Sequence, residues 1–90
     1  GIADARIILL RAEQHFGLGE GELAKLQRGD SRRAAIGWAI HRQTCTPLSW
    51  IAEQLNLSSA ANASQQIRRF DDRKTGRLPT EERTWKKLML

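Results

Sequence analysis

Ninety residues, 40% hydrophobic and 28% charged, make one globular domain and leave no room for a separate catalytic domain beside it. Fifteen Lys and Arg against ten Asp and Glu give a formal charge of +5, unevenly placed: residues 1–57 carry 7 basic and 6 acidic side chains, residues 58–90 carry 8 and 4. That balance favours a polyanionic partner over a small-molecule pocket, and no apolar run approaches the ~18–20 residues that a membrane span needs, so membrane and export readings fall away. Cys45 is the only cysteine. It can form no internal disulfide, implies a reducing cytoplasmic setting, and is expected to be a half-buried spectator thiol. The chain opens at Gly1 without an initiator Met, which suggests a fragment whose further partners are other domains of a parent protein.

Strand signals are almost absent, because Val and Tyr are missing and apolar residues do not alternate with polar ones. The fold expected is all-α, a small bundle of five to six helices. A first helix is predicted over residues 4–16 from the recurrence of Ile8, Leu9, Ala12 and Phe16, and Gly17-Leu18-Gly19 stops it. A short helix over residues 20–26 has acids in its first turn and Lys25 near its end. Asp30 then caps a helix over residues 31–43, with a core face at Ala34, Trp38 and either His41 or Ala35. Thr46-Pro47 starts the next helix, whose apolar face is Leu48, Ile51, Ala52 and Leu55, and Asn56 ends it in a left-handed conformation. A longer helix covers residues 59–73, residues 74–79 break it, and Thr80 caps a final short helix holding Trp85 and Leu88. Trp38, Ile51, Leu55, Ile67 and Phe70 are expected to share one core.

The informative stretch is residues 46–73, a short helix, a tight turn and a second helix, which is the layout of a helix-turn-helix. At 100° per residue, Ala60, Ala63, Ile67, Phe70 and Lys74 fall in one arc, expected to be the buried face. Ser58, Ser59, Asn62, Gln65, Gln66, Arg69 and Arg73 lie at the start or on the opposite flank of the helix, and Asp71 lies on the other flank. Asn and Gln pair with adenine edges, Arg with guanine, and Ser with either, so this strip has the side chains of base readout. A second basic element, Arg28 with Arg32 and Arg33, precedes the third helix; two adjacent arginines cannot both face a core, so at least one is expected to point to water or to a phosphate.

The run from Ala12 to Leu18, then Glu22-Leu23, the segment from Arg28 to Arg33, and Leu48 to Leu55 together resemble the C-terminal DNA-binding domain of the bacterial replication initiator DnaA, a fold of the Trp-repressor-like kind. The resemblance covers residues 7–73. It implies phosphate or minor-groove contact at Arg28, Arg32 and Arg33, major-groove reading by residues 58–65, and a place at the bacterial nucleoid. The family's Arg, Asp, His and paired Thr at the recognition-helix start correspond here to Ser58-Ser59-Ala60-Ala61-Asn62, so its origin-box specificity does not carry over. Trp50-Ile51-Ala52 and the run from Ala63 to Arg69 also look like the DnaA-like domain attached to REP-associated, single-tyrosine transposase-like proteins.

No catalytic constellation is present, since a tyrosine nucleophile is missing and His15 and His41 fall in separate helices. Glu81-Glu82 read as ordinary first-turn acids, and no cofactor is expected. The expectation is therefore a non-enzymatic, sequence-directed double-stranded DNA-binding domain of a transposase-like or initiator-like protein. RNA or structured single-stranded DNA is the near alternative, and a protein-interaction helical module with incidental basic charge is one of a different class.

Overall fold

The computed structural model describes all residues, Gly1–Leu90. Five α-helices follow in order: α1 (Ile2–His15), α2 (Ser31–Gln43), α3 (Leu48–Gln54), α4 (Ala60–Asp72) and α5 (Thr80–Met89), with single 3-10 turns at Leu23–Lys25 and Thr75–Arg77. There is no strand, so the all-helical expectation holds. No helix is long and apolar enough to cross a membrane.

The centre of the molecule is α2. Asp30 caps it as expected, its Oδ1 accepting the Arg32 amide at 3.0 Å. Every residue from Arg33 to Ile40 is buried, because α1, α3, α4 and α5 all pack around this helix. A single core face, as the sequence pattern implied, therefore understates it, and His41 lies outside the core on the surface. Gly37 permits the tightest of these contacts: a Cβ there would meet Leu55 Cδ1 at 3.1 Å and Ile51 Cγ2 at 3.4 Å. Trp38, Ile51, Leu55, Ile67 and Phe70 do share one core.

The termini of α3 and α4 define how the second helix is presented. Pro47, not Thr46, occupies the cap of α3, with its carbonyl accepting from the Trp50 and Ile51 amides. Thr46 is instead buried, its hydroxyl 2.6 Å from that of Thr44. At the other end Asn56 has φ 57°, and the Leu57 amide reaches back to the Ala52 carbonyl at 2.8 Å. This closure spends the free carbonyls of α3 and turns the chain sharply toward α4. Ser59 caps α4, its Oγ accepting the Asn62 amide at 3.0 Å, and Ala63, Ile67 and Phe70 are buried beneath it. Lys74, placed on that face by spacing alone, lies past the end of the helix and is exposed.

The last helix departs most from the sequence pattern. Pro79 rather than Thr80 caps α5, and its buried face is Glu82, Trp85, Lys86 and Met89, whereas Leu88 is 65% exposed. Positions 82, 85, 86 and 89 form one stripe at helical spacing, and Leu88 lies off it. Two charges thus sit in the core with partners. Ser31 donates to Glu82 Oε2 at 2.6 Å, and Lys86 Nζ donates to the carbonyls of Phe70, Asp71 and Arg73 at 3.0, 3.1 and 3.0 Å. Glu82 is accordingly no ordinary solvated first-turn acid. Cys45, expected to be half-buried, is exposed.

Candidate nucleic-acid interface

Because Ala63, Ile67 and Phe70 seal one side of α4, the residues a half-turn away must face outward. Gln65 and Arg69 are exposed, and Asn62 and Gln66 are partly exposed on the flank toward the loop before α2. That loop and that flank enclose a polar cleft of about 490 Å³, with Arg28 and Arg33 on one wall and Asn56, Ser58, Asn62 and Gln66 on the other. A smaller groove of about 180 Å³ shares Gly29 and Gln66 with it and continues along Ser31, Arg69 and Arg73. The two basic elements that the sequence suggested separately are therefore neighbours along one surface.

Their side chains are not equally available. Arg28 is exposed. Arg32 is held by Asp30, Nη2 to Oδ2 at 2.7 Å and Nε to Oδ1 at 3.0 Å. The Arg32 side-chain hydrogen bond is the main cause that lowers the Asp30 carboxyl below its usual 3.8, against a partial opposing effect of burial. The same bond from Asp30 raises the Arg32 guanidinium above its ordinary value. Arg33 is only 5% exposed and donates through Nη2 to the Leu26 carbonyl. Arg33 as a phosphate contact is thereby corrected to a buried side chain, whereas Arg32, its side chain 31% exposed, still reaches solvent beside its ion pair, in keeping with the expectation that at least one of the two faces water or a phosphate.

The helix start is also partly engaged. Ser59 is committed to its cap, and Ser58 Oγ accepts from Asn62 Nδ2 at 3.1 Å. Asn62 keeps its carbonyl oxygen and one further N–H for other partners. Arg73 donates to the Arg77 carbonyl at 3.2 Å. Asp71 is drawn toward the body of the protein, where its Oδ1 accepts the Trp38 indole N–H at 2.9 Å. Sequence reasoning missed two contributors. Asn56 was assigned only a turn but lines the cleft, and Asp72, exposed three residues after Arg69, places a carboxylate at the far end of the outward face. Helical spacing from Gln65 and Arg69 was enough to reveal Asp72.

No group of His, Cys, Asp and Glu side chains is arranged to hold a metal ion. His15 Nε2 donates to the Glu81 carbonyl at 2.7 Å, and its ring meets Phe16 edge-on and Trp85 at a tilt, which ties α1 to α5. What the surface offers is an array of hydrogen-bond donors and acceptors with cations at its margins. No family model, curated protein or solved structure matches the chain.

Proposed function

We propose that this chain is a double-stranded DNA-binding domain that reads sequence through a helix-turn-helix, with α3 as the brace and α4 in the major groove. The observation that carries the reading is the accessible strip of Asn62, Gln65, Gln66 and Arg69 on α4, set beside Arg28 across a shared polar cleft. In this reading Asn62 and Gln66 hydrogen-bond adenine edges, Arg69 reads guanine, and Arg28 and Arg73 meet phosphates. The resemblance of residues 7–73 to DnaA-like domains supports the same role, as the DNA-targeting part of a transposase-like or initiator-like protein. Burial of Phe16, Trp38, Phe70 and Trp85 favours duplex over single strands, since it leaves no exposed row of aromatic rings for bases to stack on.

Selection of binding sites from random duplexes tests this directly. Asn62→Ala and Gln66→Ala are then expected to cost about 1–3 kcal/mol each on the selected site and little on random DNA. Equal loss on both, or none on either, would remove the two residues from base readout. A protein-interaction role draws its support from Ile7 and Leu10, which α1 leaves exposed. Salt separates the alternatives, because binding through phosphates weakens steeply as salt rises and an apolar contact does not.

A further inference from the structure

The loop that follows α4 carries cations that the contacts above do not use. Its 3-10 turn, Thr75–Arg77, is closed by the Arg77 amide on the Lys74 carbonyl at 2.9 Å and anchored by Leu78, which is 2% exposed. Arg83 Nη2 donates to the carbonyls of Gly76 and Leu78 at 3.3 and 3.2 Å, and Arg73 Nη2 donates to that of Arg77 at 3.2 Å. Lys86 fixes the three carbonyls at the end of α4 from below. Three cationic side chains therefore spend donors on holding this backbone in place. Lys74 and Arg77 are different: both are exposed, and the chain's two ion pairs, Gly1 with Asp4 and Asp30 with Arg32, lie elsewhere. Of the two nearby carboxylates, that of Asp71 is already engaged by Trp38.

The position of this loop gives the charge a purpose. With 13 residues, α4 is about 20 Å long at ~1.5 Å per residue, which exceeds the ~12 Å width of the major groove. A helix seated in the groove with its N-terminal half near one sugar-phosphate strand brings its far end to the opposite strand. We propose that Lys74 and Arg77 form a second, pre-ordered phosphate-contact site, which grips the strand opposite the one met by Arg28. Because the loop is already braced, little ordering is needed on binding, and contacts made by a rigid element lose less to entropy than those made by a mobile one. The inference rests on the duplex-binding reading of α4.

The full chain and its Lys74→Ala/Arg77→Ala double variant are titrated by fluorescence anisotropy with a selected duplex and a scrambled duplex across a salt series. Both substitutions are exposed, and a thermal melt followed by circular dichroism verifies an unchanged fold. The double variant is expected to bind both duplexes more weakly by the same factor, on the order of tenfold at low salt. Its slope of log affinity against log salt is expected to fall by about 2, or ~0.9 per lost phosphate. Lys87→Ala, an equal loss of charge per residue on α5, leaves the slope unchanged. If the double variant keeps wild-type affinity and slope while Asn62→Ala still loses site preference, the second contact site is wrong and the reading of α4 stands. Loss of slope in Lys87→Ala equal to that of each loop substitution overturns it as a general charge effect. Tighter binding to an RNA duplex of the same sequence overturns the DNA assignment, and absence of any duplex binding overturns both.

Discussion

The loop ahead of α2 and the outward strip of α4 look alike as polar, cationic candidates, yet the fold treats them in opposite ways. Among Arg28, Arg32 and Arg33, only Arg28 keeps an unpaired, exposed guanidinium, because the other two are used by Asp30 and by the Leu26 carbonyl. Gln65 and Arg69 on α4 keep their polar groups free in water, and Gln66 opens into both grooves. Formal charge in a sequence therefore overstates charge available to a ligand. A guanidinium with five donors readily becomes a structural crosslink where a buried carbonyl or a carboxylate is within reach, while an uncharged amide on a solvated face exerts no such pull.

The contrast is sharpened first from beneath α4. Ile67→Ala removes a large side chain from under the strip and is expected to lower stability by about 2–5 kcal/mol in chemical denaturation. A loss below about 0.5 kcal/mol would show that the strip does not depend on this packing. Next comes Arg33→Ala, which leaves the Leu26 carbonyl without its charged donor and is expected to cost about 1.5–3 kcal/mol of stability. Arg28→Ala is its counterpart, with stability expected to stay within about 0.5 kcal/mol and the salt slope of duplex binding to fall by about 1. The two arginines would cease to be a contrasting pair if Arg33→Ala left stability intact, or if Arg28→Ala left the slope intact.

Asp30 supplies a smaller and pH-dependent test. Its folded carboxyl titrates below the usual 3.8, so its stabilising contribution is complete above that value and disappears as pH falls through the lowered folded one. Asp30→Ala is expected to cost about 1 kcal/mol at neutral pH through loss of the cap, and less in strong acid, where the wild-type carboxyl is itself protonated. Urea midpoints at neutral and at strongly acidic pH measure the difference. A constant difference between wild type and variant at both would place the stabilisation somewhere other than the ionised carboxylate.

What could be read in advance divides by range. Asp30 as a cap, Asn56 at positive φ and the apolar side of α4 are set by residues within one or two helical turns, and all three follow from local chemistry. The shared core of Trp38, Ile51, Leu55, Ile67 and Phe70 also follows, since each sits on the apolar side of its own helix. The burial that the sequence pattern did not reveal depends on partners far away in sequence. Lys86 is buried because the end of α4 presents three carbonyls, and Glu82 because Ser31 waits across the interface. An apolar criterion finds only Trp85 and Met89 on this face of α5, because the other two positions of the stripe are charged. At the candidate interface, the residue types on α4 were legible, but the internal use of Arg32 and Arg33 was not. Their partners are a cap whose second role is ionic and a carbonyl seven residues back that no side-chain pattern reports.

Helix α5 reaches the middle of the molecule late in the chain, with the Trp85 indole donating to the Ala35 carbonyl at 2.9 Å and Gln43 donating to the carbonyl of Met89 at 2.7 Å. During synthesis the central helix is made long before the residues that complete its surroundings, so a nascent chain stopped ahead of Trp85 exposes the apolar flank of α2 to its environment. Closure of the core must wait until α5 has been made, and until then that flank of α2 lacks its cover.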